Sequence, residues 1–309
     1  MSAGGTAHPR VLAAIGLLLL SSLCFSSSDA ASKVAILAGV PLMLGVWSRY
    51  ICHALSATAA VLPTHGLKML RTRRPGLQCL RGLLLTGSTG FVFASLRYLP
   101  VGEFTAIIMI SPLLVTLLGA TLLKERVAPL RWALLAVGFA GTLVIMRPGG
   151  GDYGWAMLLP LGQVLCNTAF QVLTSHLART EHPLTMHLYT GWVGTVATSL
   201  ALPFAWMPIP SAWLWAVLIG LGLVASLGHY LLILAFRRAP ASTLMPYSYA
   251  QIAFAMLAGW VSFGHVPDHL SILGMALIAA SGVAGAWLSL HERRRLAAPR
   301  AAPTPTPTA

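Results

Sequence analysis

Long apolar runs follow one another along almost the whole chain, and short polar stretches separate them. A bilayer core of about 30 Å is crossed by roughly 20 apolar residues in a helix, and runs near that length recur ten times. The pattern predicts an all-α polytopic membrane protein with ten transmembrane helices and little chain outside the membrane. The predicted spans are approximately Val11–Ser28, Leu42–Leu62, Leu77–Leu96, Phe104–Leu123, Trp132–Met146, Trp155–Leu177, Leu184–Trp206, Trp213–Ala235, Ser242–Phe263 and Ile272–Leu290.

The two halves of the chain carry similar features at matching positions. Arg97 and Pro100 of "RYLPVGE" correspond to Arg237 and Pro240 of "RRAPAST", 140 positions later. Each half holds five spans, an odd number, so the second half enters the membrane from the opposite side. The sequence therefore predicts two inverted five-helix repeats, over residues 11–147 and 153–290. The Pro/Thr-rich remainder, residues 291–309, is expected to be a disordered cytoplasmic tail.

The composition agrees with a membrane protein. Of the 309 residues, 57% are hydrophobic and 9% are charged, and the mean hydropathy is +0.78, which lies outside the range of soluble domains. The first run follows Arg10 and ends in small residues, as a signal peptide does. We expect a retained helix instead, because its removal would leave nine spans and break the repeat.

The net charge of +13 is explained by topology rather than by nucleic acid. If the N-terminus is cytoplasmic, most of the 20 lysines and arginines, Arg81 included, fall on the inner side, whereas Lys33, Arg97 and Arg147 fall outside. This bias predicts a multi-pass protein of the cell (inner) membrane with both termini in the cytoplasm. Its basic inner segments can contact anionic lipid, and no basic surface rich in aromatic residues indicates nucleic-acid binding.

The residues that enzymes and metal sites need are scarce. The four cysteines lie in predicted spans without CxxC spacing, so we expect neither a disulfide nor a metal site, and no cofactor. Hydrolase and metalloprotease motifs are absent from the sequence, and only seven residues are Asp or Glu. We therefore do not expect an enzyme.

Polar side chains recur on one face of the sixth predicted span. Gln163, Asn167, Gln171 and Thr174 follow one another at intervals of three or four residues, which places them on one side of a helix. Such a stripe either lines a watery cavity or forms hydrogen bonds to neighbouring helices. The repeat-related face of the first helix carries Asp29, so the two halves differ in charge at this position.

Two ionisable residues are expected at the same depth in the first helical hairpin. A charged side chain inside a span usually has a partner, and Asp29 and Arg49 each lie ten positions from the expected turn near Gly39. Equal depth permits an ion pair. If the first helix instead ends near Asp29, that residue is interfacial.

The eighth and ninth predicted spans contain further candidates. His229 is suited to relay protons or to contact a substrate, and a hydrogen bond to a neighbouring helix explains it equally well. Tyr247 and Gln251 share a helical face at i, i+4, although packing alone explains the tyrosine. Pro112 and Pro246 each leave a backbone carbonyl without its helical donor, which either kinks the helix or borders a transport site.

Several motifs resemble the EamA-type repeat of the drug/metabolite transporter superfamily. They are "LPVGE", "SPLL" and "LLKERV" in the first half and "GHY", "RRAPAS" and "YSYAQ" in the second. The resemblance spans about residues 11–290. It implies two inverted repeats that move a small organic metabolite by alternating access, and inverted repeats by themselves suggest a midplane site between the halves. Such repeats usually carry a glutamate after the second long helix. Glu125 matches it in the first half, but His265 stands at this position in the second half. The position is at a helix end, so the departure bears on capping of the helix.

The sequence thus predicts a secondary-active transporter, acting as an exporter of a small organic metabolite. A polytopic membrane enzyme and a non-transporting scaffold are the alternatives. Expected partners are the organic substrate, protons as coupling ion, membrane lipid and a second copy in a homodimer. The fold leaves the substrate open. The predicted substrate and coupling pathway comprises Asp29, Arg49, Gln163, Asn167, Gln171, His229, Tyr247 and Gln251.

Overall fold

The computed structural model describes residues 7–66, 68, 71–122, 129–146, 154–206, 208–209 and 211–297. Within these ranges the chain is helical and contains no β-strand. Short 3₁₀ turns at Gly154–Leu158 and Leu202–Phe204 flank two of the helices. The α-helices are α1 (Ala7–Leu37), α2 (Leu42–His65), α3 (Pro75–Leu96), α4 (Val101–Ile108), α5 (Ser111–Leu122), α6 (Pro129–Met146), α7 (Leu159–Leu177), α8 (Pro183–Ala201), α9 (Trp213–Arg238), α10 (Ala241–Ser248), α11 (Ala250–Phe263) and α12 (His269–Ala297).

These helices form the ten predicted spans, because the fourth and ninth spans are each broken in two. The α4–α5 break is at Met109 and Ile110, where the Ile110 N–H donates to the Ile107 carbonyl at 3.3 Å; Pro112 has no N–H to bond the carbonyl of Ile108. The α10–α11 break is at Tyr249, 140 positions after Met109. The two breaks thus occupy corresponding positions in the two halves.

The halves pack against each other in a reciprocal pattern. Helix α1 packs along α9, and the corresponding helices of the other half, α7 and α3, also pack together. Helix α2 packs on α8 and α6 on α12, while α4 meets α11 and α10 meets α5. Exchanging the halves leaves these pairings unchanged, which is the pattern of a pseudo-two-fold axis. Because each half has five spans, the repeats are inverted.

Among the described residues, four helices are long and apolar enough to cross a membrane by length and composition. They are Val11–Leu37, Pro75–Leu96, Trp155–Leu177 and Trp213–Arg238. The first extends well beyond its predicted end at Ser28, since its later polar residues Asp29 and Ser32 are buried in the bundle. At 1.5 Å per residue α1 is about 46 Å long, which is longer than the hydrocarbon core of a bilayer, about 30 Å.

The boundary of the predicted tail is wrong. Helix α12 continues to Ala297, so residues 291–297, which were expected to be disordered, are helical. The segment "HERRRLA" consists largely of good helix formers and contains neither Gly nor Pro. Residues 298–309 lie outside the described residues, as do Glu125 and Arg147.

Helices α6 and α12 touch backbone to backbone. A Cβ atom added to Gly141 would lie 2.8 Å from the Gly274 carbonyl oxygen, and one added to Gly274 would lie 2.7 Å from the Gly141 carbonyl oxygen. Small residues permit this approach between membrane helices. The contact joins the last span of one repeat to the last span of the other.

Candidate substrate cavity

A cavity lies where helices of both halves meet. The first half contributes α1, α2, α3 and the α4–α5 break, and the second contributes α7, α9, α10 and α11. Met109 and Pro112 line it at one helix break, and Ser248 and Gln251 line it at the other. Irregular backbone inside a membrane is tolerated where it borders protein or a watery cavity. Both breaks therefore lie where transporter folds place their binding sites.

Asp29 and Arg49 form an ion pair in the wall of this cavity. The Arg49 Nη1 lies 3.6 Å from the Asp29 Oδ1, and the two side chains are only 8% and 6% exposed. The expected pair is thus present, and α1 does not end at Asp29. Because 3.6 Å is too long for a hydrogen bond, the buried Arg49 Nη1 has no hydrogen-bond partner.

Three of the four stripe residues on α7 line the cavity, namely Gln163, Asn167 and Gln171. Gln163 is buried, and its Oε1 has no hydrogen-bond partner. The fourth residue, Thr174, is absent from the cavity wall; its hydroxyl donates to the Phe170 carbonyl at 2.7 Å and accepts from Arg81. Cavity lining therefore describes the first three positions, and helix-to-helix bonding describes the fourth.

His229 and two phenylalanines give the cavity an aromatic side. The His229 ring centroid lies 4.7 Å from that of Phe25 and 5.8 Å from that of Phe170, and all three residues line the cavity. The His229 Nδ1 is buried without a hydrogen-bond partner. Ring faces of this kind can stack against a planar substrate, and the imidazole adds a polar atom beside them.

Two further histidines, which the sequence analysis did not select, lie behind His229. The His53 Nε2 is 3.0 Å from the His187 Nδ1, and the His187 Nε2 is 3.1 Å from the Ser226 hydroxyl. The His53 ring stacks 5.9 Å from that of His229. This network joins α2, α8 and α9 at the cavity wall. A signal was available, since His53 follows Arg49 by four residues on the same helical face.

The EamA-like transporter family model matches the chain twice, over residues 12–147 and 154–287. The chain belongs to the EamA-like transporter family. This transporter is 32% identical over 236 residues to a riboflavin transporter of Rhizobium johnstonii, covering 74% of this chain and 75% of the relative. It is 27% identical over 271 residues to an S-adenosylmethionine uptake transporter of Rickettsia felis, covering 86% and 90%. A solved crystal structure shares the fold, with a TM-score of 0.64 at 23% identity over 95% of this chain and 99% of that one.

These findings confirm the predicted family, the two-repeat membrane fold and the broad function. The protein is a multi-pass membrane transporter of a small organic molecule, and the enzyme alternative is set aside because the family and its named relatives are transporters. The relatives' different substrates agree with the expectation that the fold alone does not specify the cargo.

Tyr247 of the transporter lies apart from the other predicted site residues. It is 41% exposed and does not line the cavity, whereas Gln251 does. Residues at i and i+4 share a face only in one continuous helix, and the chain breaks at Tyr249, between Tyr247 and Gln251. Because of this break, α10 and α11 do not share one helical face, and Tyr247 does not lie beside Gln251 in the cavity wall.

Arg81 was expected on the cytoplasmic side with the other loop arginines, but it lies buried within α3. It is 0% exposed, and it links α3 to α7 and α8 through hydrogen bonds to Thr174, Met186 and Thr190. The sequence does contain a signal, because Arg81 shares a helical face with the cavity residues Leu85 and Ser88.

His265, which the resemblance marked as a departure, forms a contact with Glu103 in the transporter. The His265 Nε2 lies 2.9 Å from the Glu103 Oε1, so the segment after α11 is tied to the first turn of α4. Nearby, the Lys33 ammonium donates to the Leu99 carbonyl. The His265–Glu103 contact connects the two repeats near the "RYLPVGE" loop, whereas the Lys33–Leu99 bond lies within the first repeat. His265 therefore serves as a cross-repeat contact rather than as a helix cap.

Proposed function

We propose that this transporter binds its substrate in the cavity between the two repeats and carries it by alternating access. The observation that carries the proposal is that both repeats and both helix breaks line one cavity, which also holds unpartnered buried atoms of Arg49, Gln163 and His229. An unsatisfied buried polar atom costs about 1–3 kcal/mol. A substrate with matching donors and acceptors relieves this cost, and rocking of one repeat against the other moves it across the membrane.

The cavity favours a planar heteroaromatic metabolite with a polar edge. The rings of Phe25, Phe170 and His229 offer stacking surfaces, and the amides of Gln163 and Asn167 can read donors and acceptors on a ring edge. Riboflavin has this chemistry, and the relative from Rhizobium johnstonii is named for it. We therefore propose riboflavin as the first substrate to test and S-adenosylmethionine, named for the Rickettsia felis relative, as the second.

Transport by purified protein in liposomes tests this proposal. We expect saturable movement of riboflavin that is absent from empty vesicles and reduced by Gln163→Ala. The matched control is Leu165→Ala, since Leu165 lies on the same helix, is 69% exposed and does not line the cavity. Absence of transport for riboflavin, for S-adenosylmethionine and for a wider metabolite set would contradict the assignment of this cavity as the substrate site.

Net direction and coupling are measured in the same vesicles. Export remains the expected direction, and because one relative is named for uptake, substrate is loaded on either side in separate experiments. We propose protons as the coupling ion, with Asp29 and His229 as the groups that handle them, because both are buried in the cavity wall. An imposed pH gradient should then drive accumulation in the wild type, and Asp29→Asn should lose that response. Accumulation that ignores the gradient would remove protons from the mechanism.

We propose that the transporter lies in the inner membrane with both termini in the cytoplasm. The distribution of Lys and Arg over alternate loops supports this orientation, and it does not depend on Arg81. In a variant without the four cysteines, a cysteine introduced at Arg73 should be protected from a reagent added outside cells, whereas one at Ser211 should react. The reverse labelling would exclude this orientation.

The repeat boundaries and the oligomeric state belong to the same proposal. We assign the repeats to residues 11–147 and 153–290, a division supported by the two family matches at 12–147 and 154–287. Exposed apolar side chains on α3 and α8, among them Leu83, Trp192 and Leu200, offer a face for lipid or for a second copy in a homodimer. Mass measurement of the detergent-solubilised protein distinguishes a monomer from a dimer.

A further inference from the structure

Arg81 carries a buried charge that no carboxylate of the described residues balances. Its Nε donates to the Thr174 hydroxyl at 2.8 Å, and its Nη1 donates to the Thr190 hydroxyl at 2.6 Å and to the Met186 carbonyl at 2.8 Å. All three acceptors are neutral, and the buried Nη2 has no partner. Among the described residues no Asp or Glu forms an ion pair with Arg81. Glu181 is occupied elsewhere, accepting from Thr72 and from the Arg73 N–H.

This charge lies next to the cavity. Leu85, Ser88 and Val92 line the cavity from α3, and they follow Arg81 by four, seven and eleven residues, which places all four on one helical face. The Arg81 guanidinium lies 4.9 Å from the centroid of the Phe170 ring, and Phe170 is itself part of the cavity wall. Phe170 therefore contacts both the cavity and the guanidinium.

The two buried arginines leave the cavity region with an excess of positive charge. Asp29 offsets Arg49, whereas the Arg81 charge is shared only with neutral groups. Charges interact over longer distances in a protein interior than in water, because the effective dielectric constant is about 20 rather than 80. A negative group on a bound substrate is therefore stabilised, and a positive group is repelled.

We propose that Arg81 determines the charge of the substrate that this transporter accepts. This inference rests on the proposed function and narrows it to ring-bearing metabolites that are neutral or carry an anionic carboxylate or phosphate. A substrate with a fixed positive charge, such as a sulfonium, is disfavoured. Arg81 acts as a specificity residue, because its buried charge and its unpartnered Nη2 lie next to the cavity and favour an anionic substituent there.

Competition within one flavin series tests the inference. Uptake of labelled riboflavin into proteoliposomes is inhibited with riboflavin 5′-phosphate, which is anionic, and with a 10-(3-aminopropyl) flavin, which is cationic and shares the ring. We expect the anion to inhibit the wild type at least about tenfold better than the cation, a difference of about 1.4 kcal/mol. Equal inhibition, or a preference for the cation, in the wild type overturns the inference without any variant.

Variants of Arg81 and its partner locate the effect. Arg81→Gln should reduce the anion-to-cation ratio to within about twofold, and Arg81→Lys should keep the preference for the anion. Thr190→Asp gives a second route, because it places a carboxylate of nearly the same size where the Thr190 hydroxyl accepts from Arg81 and so neutralises the charge while the link between α3 and α8 remains. The control is Arg74→Gln, an exposed arginine beside the same helix, which should keep the wild-type ratio.

The outcomes separate this inference from the proposed function. If riboflavin is transported but the ratio is the same in the wild type, Arg81→Gln and Thr190→Asp, the charge inference fails and the transport proposal stands. If no flavin is transported or bound, riboflavin fails as substrate. The thermal shifts of the wild type and of Arg81→Gln with nicotinate, nicotinamide and the 1-methylnicotinamide cation then test the charge inference without a flavin. Stabilisation in that order supports the inference, and stabilisation independent of charge overturns it.

Discussion

Arg49 and Arg81 are both buried arginines beside one cavity, yet they are stabilised in different ways. Arg49 has a carboxylate partner, Asp29, at 3.6 Å, whereas Arg81 has only two hydroxyls, one carbonyl and an aromatic ring. Burial of a charge in protein is costly, and the cost is offset either by an opposite charge or by several hydrogen bonds. The first solution leaves a neutral wall, and the second leaves a charge that can act on a ligand.

The largest effect is expected from breaking the Asp29–Arg49 pair. Asp29→Asn or Arg49→Gln each leaves one buried group without its partner, which costs about 3–5 kcal/mol. The charge-swapped double variant, Asp29→Arg with Arg49→Asp, should lose less stability and less transport than either single change. Thermal unfolding in detergent and uptake into vesicles measure both quantities. Silent single variants would show that the pair contributes neither to folding nor to transport.

A smaller effect is expected from removing one neutral partner of Arg81. Thr190→Val deletes an acceptor at 2.6 Å from the guanidinium, and a hydrogen bond to a charged group contributes about 1.5–3 kcal/mol. Substrate charge preference should survive, because the charge itself remains. The matched control is Thr195→Val on the same helix, whose hydroxyl only donates to the Gly191 carbonyl within its own helix. Equal melting temperatures of the two variants would mean that Arg81 gains little from Thr190.

The stripe on α7 distinguishes the cavity from the surfaces around it. Cysteines introduced at Gln163, Asn167 and Gln171 should react with a small hydrophilic reagent, and substrate should slow the reaction. Cysteines at Leu165 and Val172 should stay unreactive, because these positions do not line the cavity. Uniform inaccessibility of all five positions would show that the stripe only joins helices.

Alanine substitutions at Gln163, Asn167 and Gln171 measure how much each side chain contributes to substrate affinity. Each should change apparent affinity by up to roughly tenfold, since a hydrogen bond contributes about 0.5–1.5 kcal/mol. Tyr247→Ala, outside the cavity, provides the control and should leave substrate affinity unchanged. An affinity loss at Tyr247 as large as that at Gln163 would argue against this cavity as the binding site.

The smallest effect is expected at the Glu103–His265 contact, where the His265 side chain is 37% exposed. His265→Glu places two carboxylates opposite each other. We expect a loss of at most about 1 kcal/mol, because partly exposed charges are screened by water. His265→Gln, which keeps a hydrogen-bond donor, should melt near the wild-type temperature. Destabilisation by Gln as large as that by Glu would point to packing rather than charge.

The membrane class, the ten spans, the repeat and the family can all be predicted from the amino-acid sequence, because each depends on the order of apolar and polar residues along the chain. The sequence also selected Asp29, Arg49 and the α7 stripe, since helical periodicity and depth are one-dimensional properties. Continuity of helices is less visible in sequence. Pro112 marked a weak point, but only the packed chain shows that both breaks interrupt their spans, and the break at Tyr249 separates Tyr247 from the face of Gln251.

Tertiary structure decided which side chains from distant helices share one environment. Arg81 reads in sequence as one more basic residue near a cytoplasmic end, and only the approach of α7 and α8 supplies the Thr174 and Thr190 hydroxyls that allow its burial. His53 and His187 lie 134 residues apart and meet only because α2 packs on α8. A buried arginine needs partners because burial of a charge is costly. Which partners it has, a carboxylate for Arg49 and neutral groups for Arg81, depends on the fold, because these groups come from distant parts of the chain.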